Sequence, residues 1–411
     1  MVRLVYGVTL RIYNAVLLLA SLFNKKARLW VDGRKGLFDK LGSELEGKSN
    51  IVWFHCASLG EFEQGRPVIE EYKRKKPNIY ILLTFFSPSG YEIRKNYEGA
   101  DSVFYLPLDS KRNANRFINI VNPSIVIFVK YEFWLNYLQQ LWQRNIPVFL
   151  ISANFRRNQW FFKWYGKSFR KIFKFYTHLF VQNKSSEEIL SDFGISDVTV
   201  AGDTRFDRVS QLALNPRPIQ VAESFKNGKF LIVAGSTWIP DEEILCKYIN
   251  ESNNDLKWIL APHEIGSAHI DKIESLLHKS YFRFSEASTS DVENASVMII
   301  DNIGMLSFLY AYGEIAYVGG GFGVGIHNIL EPACFGIPII FGPTYHKFQE
   351  ASDLVNEGGA FSIGSYEELM NRLNNLLISP ETIAKSREIA KSYVNNNNGA
   401  TSMIVNNLLS F

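Results

Sequence analysis

Cysteine is scarce in this sequence. Only three occur among 411 residues, Cys56, Cys246 and Cys334, and no two of them form a CxxC pair. Their spacing excludes a disulfide scaffold and a cysteine-based zinc site, and it is typical of a protein from a reducing compartment. The sequence also lacks a large excess of positive or negative charge. Its 44 Lys and Arg residues nearly balance its 41 Asp and Glu residues, and the net charge is +3. The chain as a whole therefore has no electrostatic signature of nucleic-acid binding.

Metal-binding motifs are absent from the sequence as well. It contains no HExxH segment, no DxD-like pair and no clustered set of carboxylates and histidines, so we expect no metal site. What is present is ordinary for a globular protein: 46% hydrophobic and 21% charged residues, which exclude extended disorder. The length predicts two domains.

One long apolar run stands at the N-terminus. Within residues 4–23 Arg11 is the only charged residue, and as a helix such a run would rise about 30 Å, the thickness of a bilayer core. Arg11 and Asn14 weaken the case for a full span, so spanning and interfacial helices both stay open, with a soluble core helix or a signal peptide as alternatives. The basic residues that follow predict a membrane-associated segment over 1–28 and a cytoplasmic remainder: Lys25, Lys26 and Arg28.

Short apolar runs alternate with helix-length stretches through the rest of the chain. The runs predict strands buried on both faces, and their alternation with helices predicts an α/β protein with parallel sheets in two Rossmann-like domains facing a cleft. We place the domains at 29–214 and 215–411, with a linker around Asn215-Pro216-Arg217-Pro218. The predicted strands are Ile51–His55, Ile79–Thr84, Val103–Leu106, Ile125–Val129, Val148–Ser152, Leu179–Gln182, Val198–Ala201, Phe230–Ala234, Trp258–Ala261, Val297–Ile300, Ile315–Val318 and Ile337–Phe341.

Two carboxylates follow predicted strands directly. Glu61, in Ser58-Leu59-Gly60-Glu61, falls in the first turn of a predicted helix, where the helix dipole favours a negative charge. Glu132, in Lys130-Tyr131-Glu132-Phe133-Trp134, follows a buried strand and stands beside large aromatics. Both predict acids at the ligand-binding edge of a sheet. The alternatives are a helix-stabilising acid for Glu61 and an ion pair with a local Lys or Arg for Glu132.

A glycine-rich segment runs over 319–325 and continues through His327 and Asn328 to Glu331. It predicts a strand, a loop and a helix beginning near Asn328, whose amide groups would bind phosphate while Glu331 accepts bonds from ribose hydroxyls. It matches neither the dinucleotide fingerprint nor the P-loop, and a tight structural turn is the alternative. His263 follows another strand, where a histidine is more often structural than a ligand.

Residues 151–182 contain no acidic residue and seven basic ones interleaved with aromatics. Such a pattern on a helix favours an anionic lipid surface, with single-stranded nucleic acid or a core helix with a solvated basic face as alternatives. The basic residues are Arg156, Arg157, Lys163, Lys167, Arg170, Lys171 and Lys174.

Taken in order, these motifs resemble one family. The sequence has HxxSxGE near residue 60, TFFSPSGYE at 84–92, YLPLDS at 105–110, YEFWLN at 131–136, GDTRFD at 202–207 and GGGFGVGIHNILEP at 319–332. The set is similar to the 3-deoxy-D-manno-octulosonic acid (Kdo) transferases of lipopolysaccharide synthesis, and it extends from the N-terminal segment to about residue 400. The resemblance implies a glycosyltransferase-B fold, an acceptor-binding first domain, a donor-binding second domain that includes the C-terminal helix, and no metal or other cofactor.

The resemblance also implies partners and residue roles. The donor would be CMP-Kdo, the acceptor a lipid A precursor, and the location the cytoplasmic face of the inner membrane, next to anionic lipid and without nucleic acid. Glu61 matches the family's catalytic base, Glu132 its second essential acid, and Arg205 stands where a transition-state lysine is often found. His263 replaces an arginine of a Pro-Arg pair that contacts CMP. The matching CMP-binding residues are Pro262, His263, Gly304, Met305, Leu306, Asn328, Ile329, Leu330 and Glu331.

Two other interpretations of function remain at this point. A two-domain UDP-sugar transferase or epimerase would share the fold and differ in its nucleotide, so comparing CMP with UDP binding separates them. A membrane-tethered glycolipid-binding protein without activity would need neither Glu61 nor Glu132, and a turnover assay decides.

Overall fold

The computed structural model describes residues 2–215, 217–289 and 291–411. The chain divides into two compact units. The first runs up to Asp207 and includes Asn398–Phe411, and the second is Arg208–Asn397. In the predicted linker, Pro216 lies outside the described residues, and the boundary between the units falls before that linker.

The first unit is built on a parallel sheet of seven strands in the order β3-β2-β1-β4-β5-β6-β7. Its central strands are buried on both faces, as expected from their continuous apolar sequences. All seven strands predicted in this part of the chain are confirmed. They are β1 (Ile51–Cys56), β2 (Tyr80–Phe85), β3 (Ser102–Tyr105), β4 (Ile125–Val129), β5 (Val148–Ala153), β6 (His178–Val181) and β7 (Val198–Val200).

Helices cover both faces of this sheet. Side-chain oxygens of Ser110 and Asn183 cap two of them by accepting a hydrogen bond from a backbone amide of the first turn. The helices are α1 (Val2–Ala20), α2 (Lys25–Asp32), α3 (Leu37–Leu45), α4 (Leu59–Lys75), α5 (Pro88–Arg94), α6 (Lys111–Val121), α7 (Leu135–Gln143), α8 (Lys184–Asp192) and α9 (Thr204–Leu214), which begins in the first unit and ends in the second.

The second unit holds another parallel seven-stranded sheet, in the order β10-β11-β9-β8-β12-β13-β14. Its strands are β8 (Phe230–Thr237), β9 (Leu256–Pro262), β10 (Tyr281–Arg283), β11 (Val297–Ile299), β12 (Ile315–Val318), β13 (Ile339–Phe341) and β14 (Ala360–Ser362). Its helices are α10 (Gln220–Lys226), α11 (Ile239–Glu251), α12 (Ser267–Leu276), α13 (Leu306–Leu309), α14 (Leu330–Cys334), α15 (Gln349–Glu357), α16 (Tyr366–Ile378) and α17 (Pro380–Asn396). The sequence analysis missed the edge strands β10 and β14, whose segments Tyr281–Arg283 and Ala360–Ser362 are not continuous runs of apolar β-branched residues.

The last helix, α18 (Ala400–Leu408), packs against α4 of the first unit. Its Ile404, Val405 and Leu408 lie in the same apolar cluster as Phe54 and Val68. The expectation that the C-terminal helix belongs to the second domain is therefore wrong. An apolar helix face must be buried against a complementary surface, and the sequence of α18 does not reveal which sheet supplies it.

Each sheet has a topological switch point beside its first strand. The first strand, β1 or β8, lies inside its sheet, and the chain reaches the other side of that strand through β4 or β12. In open α/β sheets, ligands bind beyond the carboxyl ends of the strands at such a point. This rule selects the segments after β1 and β4 in the first unit, and those after β8 and β12 in the second.

The N-terminal apolar run forms α1, and many of its apolar side chains are exposed, among them Ile12, Val16 and Leu19. Among the described residues no single helix has both the length and the apolar character needed to cross a membrane. The pair Val5–Ala20 and Lys25–Asp32, bent by 118°, meets that requirement together. The membrane association of this segment stays a prediction.

The basic aromatic stretch is not a helix, contrary to expectation. It forms three 3₁₀ turns, Trp160–Phe162, Trp164–Gly166 and Arg170–Phe175. Several of its aromatic rings belong to the core of the first unit, whereas Trp160, Trp164 and Tyr165 are exposed. The buried rings are Phe155, Phe161, Phe162 and Phe173. Composition alone could not separate rings that fill the core from rings that face solvent.

Candidate active site

Glu61 lies in the first turn of α4, at the carboxyl end of β1, as predicted. Ser58 precedes the helix, and its hydroxyl donates a hydrogen bond to Oε2 of Glu61 rather than capping a backbone amide. The carboxylate is half-buried and therefore keeps access to solvent.

Glu132 follows β4, and its side chain is almost completely buried, with 5% exposed. The backbone turns inward at Lys130, whose φ of 77° is in the left-handed region that a lysine rarely adopts. The indole N–H of Trp134 donates to Oε2 of Glu132, and Nε2 of His55 lies 3.1 Å from the same oxygen. The buried partner is therefore a histidine, and the expected alternative of a local Lys or Arg is wrong.

The fold brings Glu61 and Glu132 to one place. Their strands, β1 and β4, are parallel neighbours, and the thiol of Cys56 at the end of β1 is close to both carboxylates. Burial raises the pKa of Cys56 well above its usual value, and the negative charges of Glu61 and Glu132 raise it further. Two acids with different environments, one open and one enclosed, thus share the edge of the first sheet.

The loop that carries Glu132 is held by the basic aromatic stretch. The phenol of Tyr176 donates to the backbone carbonyl of Glu132 at 2.5 Å. The neighbouring Phe133 packs against Phe155, Phe161 and Phe173, with ring centroids 5.2–6.4 Å apart. These aromatics therefore fix the position of an acid, a role that their composition did not indicate.

Arg205, the predicted cation of the site, begins α9. Its guanidinium pairs with Asp203 at 2.8 Å, and the adjacent Thr204 hydroxyl donates to the carbonyl of Gln64 at 2.5 Å. Gln64 is one turn beyond Glu61 on α4. The start of α9 is thus tied to the helix that carries the predicted base.

In the second unit, three rings meet after β8, β9 and β12. Trp238 donates its indole N–H to Nε2 of His327 at 3.0 Å, and the ring of His263 stacks on both, with centroids 4.7 and 4.4 Å away. Burial, and then the charge of His263, lowers the pKa of His327 to about 4. Pro262 pairs with Thr237 at the end of β9, which sets His263 beside this stack.

The glycine loop after β12 is shaped by close backbone packing. A Cβ on Gly319 would meet the carbonyl oxygen of Ser236 at 2.4 Å, and one on Gly321 would meet the backbone of Gly342 at 2.6 Å. The buried carboxylate of Asp241 accepts the Gly320 amide at 2.9 Å and the Tyr317 hydroxyl at 2.7 Å. The structural-turn alternative thus accounts for Gly319 and Gly321 without a ligand.

The helix after this loop, α14, begins at Leu330 instead of near Asn328 and has only five residues. Pro332 and the early glycine at Gly336 limit its length. Asn328 bridges its start, since its oxygen accepts the Leu330 amide at 3.1 Å and its Nδ2 donates to Glu331 at 3.2 Å. Ile329 precedes the helix and is buried. Burial raises the pKa of Glu331, an effect that the charge of Arg208 and the hydrogen bond from Asn328 oppose.

The remaining predicted donor residues surround the start of α13. Gly304 takes a φ of 96°, which permits the turn after β11. Met305 caps α13, and its sulfur accepts a hydrogen bond from the side chain of Asn302. The side chain of Leu306 covers Gly235 at the end of β8, where a Cβ would approach it to 2.7 Å.

The sequence analysis did not identify some residues of this arrangement. His55 could have been found from the sequence, because it is the only ionisable side chain inside the apolar strand IVWFH. Trp238, Asp241 and Arg208 carry no such signal, because each matters through a contact with a distant part of the chain. Within the described ranges, no group of three or more His, Cys, Asp or Glu residues is arranged to hold a metal ion.

Comparison with known proteins identifies a family. Residues 31–208 match the family described as 3-Deoxy-D-manno-octulosonic-acid transferase (kdotransferase). The 3-deoxy-D-manno-octulosonic acid transferase of Aquifex aeolicus is 31% identical over 360 residues, which cover 85% of this chain and 93% of that protein. The corresponding enzyme of Haemophilus influenzae is 30% identical and covers 82% of this chain and 80% of its own length.

Solved structures support the fold. UDP-GlcNAc 2-epimerase from Neisseria meningitidis matches 88% of this chain and 100% of its own with a TM-score of 0.61 and 17% identity. MurG of Acinetobacter baumannii matches 88% of this chain and 100% of its own with a TM-score of 0.55 and 13% identity. The predicted α/β class with the glycosyltransferase-B fold is confirmed.

Proposed function

This chain belongs to the 3-deoxy-D-manno-octulosonic acid transferase family, and on that premise we propose that it transfers Kdo from CMP-Kdo to a lipid A precursor in lipopolysaccharide synthesis. The observation that carries the proposal is the pair of unlike acids, Glu61 and Glu132, at the switch point of the first sheet. One is open enough to exchange a proton with a substrate, and the other is enclosed and held in place.

Glu61 acts as the general base. Its carboxylate takes the proton of the acceptor hydroxyl while that oxygen forms a bond to the anomeric carbon of Kdo. The bond from this carbon to the phosphate oxygen of CMP breaks in the same step, so CMP leaves with the bonding pair and the configuration inverts. The hydrogen bond from Ser58 orients the carboxylate.

Glu132 and Arg205 support this step. Glu132 is fixed by Trp134 and Tyr176 and presents a carboxyl group beside Cys56, close to the base. Arg205 supplies a positive charge for the developing negative charge of the leaving group. Since a guanidinium does not give up its proton near neutral pH, Arg205 acts through charge and hydrogen bonds and not as an acid.

The donor binds at the switch point of the second sheet. His263, Gly304–Leu306 and Asn328–Glu331 form the predicted contacts with CMP, and Glu331 accepts bonds from the ribose hydroxyls. Asn328 orients that carboxylate, and the ring stack of Trp238 and His327 supports His263. CMP is a good leaving group, which is consistent with the expectation that the reaction needs no metal.

A groove of the first unit suits the acceptor and an anionic membrane surface. It encloses about 900 Å³ between α1, α2, α3 and α7, and its lining combines apolar and cationic side chains with no Asp or Glu. Leu10, Leu18 and Phe38 are among the former, and Arg11, Lys35 and Lys111 among the latter. With the exposed apolar side of α1, these features support a location at the cytoplasmic face of the inner membrane.

The test is incubation of the full chain with CMP-Kdo and a lipid A precursor, with the product mass as readout. We expect the acceptor mass to rise by whole Kdo units and CMP to be released. UDP-sugars should give no product. Release of CMP without a heavier acceptor, or binding of the lipid without any turnover, would contradict the proposal.

A further inference from the structure

His55 is a histidine inside the apolar strand β1, with 0% of its surface exposed. A buried imidazole needs a partner for each ring nitrogen, because water cannot reach it. Nδ1 lies 3.0 Å from the backbone carbonyl oxygen of Thr84 and 2.8 Å from its hydroxyl oxygen. On the other side of the ring, Nε2 lies 3.1 Å from Oε2 of Glu132.

The contacts of Thr84 decide which ring nitrogen carries a proton. A carbonyl oxygen only accepts, so Nδ1 must donate to it. The Thr84 hydroxyl oxygen already accepts the indole N–H of Trp53 at 2.7 Å, and its own proton points to the carbonyl of Phe54 at 3.3 Å. A neutral His55 therefore has its proton on Nδ1 and presents a lone pair at Nε2.

That lone pair faces an oxygen of Glu132. Two acceptors 3.1 Å apart in a buried place repel each other unless a further proton is present. The two atoms are close but not aligned as a regular hydrogen bond, so the attraction between them is mainly that of opposite charges. Within the described residues, His55 is also the only ion-pair partner of Glu132.

We propose that the pair formed by His55 and Glu132 carries one proton besides the one on Nδ1, and that His55 is a positioning residue acting through Glu132. With the proton on His55 the pair is an imidazolium beside a carboxylate, and with the proton on Glu132 it is a neutral imidazole beside a carboxylic acid. The pair has zero net charge in both forms. This inference rests on the proposed function only in giving Glu132 a part in Kdo transfer.

Among the residues that the structure describes, the contact with His55 is the only ion pair of Glu132. The titratable groups near the pair are Cys56 on β1, Glu61 on α4 and Tyr176 after the 3₁₀ turns, with Tyr137 on α7 further away behind Trp53. Burial raises the pKa of Cys56, Tyr137 and Tyr176, so all three stay neutral. The proton carried by the pair offsets the charge of Glu132.

The contacts also divide the oxygens of Glu132 between two tasks. Both Trp134 and His55 approach Oε2, and in the described part of the chain no side chain or backbone group bonds to Oε1. Oε2 is thus the oxygen that fixes the carboxyl group, and Oε1 is the oxygen left for a substrate. Loss of His55 would free the carboxyl group to rotate as well as remove the proton.

The first experiment uses ¹⁵N-histidine NMR of the full chain without substrate. His55 is assigned by the signals that disappear in His55→Gln. We expect both of its nitrogens to show proton-bearing or proton-sharing shifts at neutral pH. In Glu132→Gln we expect Nε2 to move to the shift of an unprotonated nitrogen. An unprotonated Nε2 in the unaltered protein, or no change in Glu132→Gln, would overturn the proposal.

The second experiment is a double-mutant cycle in the Kdo-transfer assay. His55→Phe and Glu132→Gln should each lower kcat about 10²-fold, and the double variant should lose no more than about threefold beyond Glu132→Gln, because His55 acts through that residue. If the loss of kcat in the double variant equals the product of the losses in the two single variants, the proposal is overturned. The matched control is His178→Phe, on β6, where the ring bonds Thr199 at 2.8 Å; its kcat should be unchanged.

The two proposals fail in different ways. If the unaltered chain does not transfer Kdo, the proposed function fails, while the NMR shifts still report on the proton because they need no substrate. If His55→Phe does not fold, the comparison of the unaltered chain with Glu132→Gln still decides the question.

Discussion

Both sheets have a switch point beside their first strand, and the residues at the two switch points differ in kind. After β1 and β4 the first unit presents carboxylates, one open and one enclosed, close to a single thiol. After β8 and β12 the second unit presents a ring stack and a glycine loop, and one of its buried carboxylates, Asp241, accepts hydrogen bonds from backbone and phenol groups. The first unit therefore places carboxylates at its switch point, and the second places aromatic rings and close-packed backbone there.

This difference separates a buried acid that stabilises the fold from a buried acid that is available for chemistry. Asp241 accepts three hydrogen bonds, from Trp238, Tyr317 and Gly320, which leaves its oxygens committed to the fold. Glu132 is held through one oxygen only. A carboxylate with uncommitted capacity in a switch-point loop is a candidate for chemistry, and a saturated one is a structural element.

The largest effect should come from removing the open acid. Glu61→Gln keeps size and hydrogen bonding but cannot take a proton, so we expect kcat to fall by about 10²–10⁴. Binding of CMP, measured by calorimetry, should not change if the second unit holds the donor. Glu70→Gln on the exposed side of α4 is the control and should keep full activity. Near-normal turnover in Glu61→Gln would remove it from the mechanism.

A second prediction concerns pH and the first unit. Burial raises the pKa of Asp109 to about 7, although it accepts bonds from Tyr6, Asn136 and Tyr137. The folded state binds this proton more tightly than the unfolded state does. Protonated Asp109 therefore adds to the free energy of unfolding below about pH 4. This contribution, up to about 4 kcal/mol, is lost as pH rises through 7.

Chemical unfolding of the unaltered chain and of Asp109→Asn across this range measures that loss. The difference between their free energies of unfolding should fall as pH rises from 4 to 7. Asp39→Asn, an exposed member of a surface pair with Arg116, is the control and should give a nearly constant difference. A constant difference for Asp109→Asn as well would show that its carboxyl group is ionised throughout.

A third prediction compares two neighbouring glycines of the second unit. In Gly321→Ala the new Cβ would meet the Gly342 backbone at 2.6 Å, so the free energy of unfolding should fall by about 1–3 kcal/mol and CMP should bind more weakly. In Gly323→Ala the nearest atom is 3.6 Å away, and both quantities should stay close to those of the unaltered chain. Equal effects in the two variants would contradict the role given to backbone packing.

The smallest effect should be a pH response of opposite sign in the second unit. Burial and the charge of His263 lower the pKa of His327 to about 4, so its stabilising contribution is present above about 6.5 and is lost as pH falls to 4. Unfolding of the unaltered chain relative to His327→Gln should show a difference that grows with pH in this window. His278→Gln, an exposed histidine, should show none.

Much of this molecule was predictable because its signals are local. All twelve predicted strands are confirmed, since a run of apolar β-branched residues marks a strand buried on both faces wherever it occurs. Glu61 was placed in the first turn of its helix for the same reason, as a strand and an amphipathic helix enclose it in sequence. The role of Glu61 in Kdo transfer stays a prediction.

The errors arose where distant parts of the chain meet. The basic aromatic stretch was expected to form a helix, but it forms 3₁₀ turns, and its Phe155, Phe161 and Phe173 pack around Phe133 and hold the Glu132 loop. The start of α14 was misjudged by two residues, because the bonds of Asn328 decide it. The partner of Glu132 was sought among nearby Lys and Arg and proved to be His55, on a different strand.

The sequence by itself determined the two parallel sheets, the position of Glu61 and Glu132 after their strands, and the resemblance to one family, because each depends on the order and spacing of nearby residues. Only the tertiary structure decided that α18 returns to the first unit, that His55 faces Glu132, and which aromatic rings of the basic aromatic stretch enter the core. These outcomes depend on which side chains meet after the sheet has formed. Burial and hydrogen bonding select those contacts over distances in the chain that no local pattern encodes.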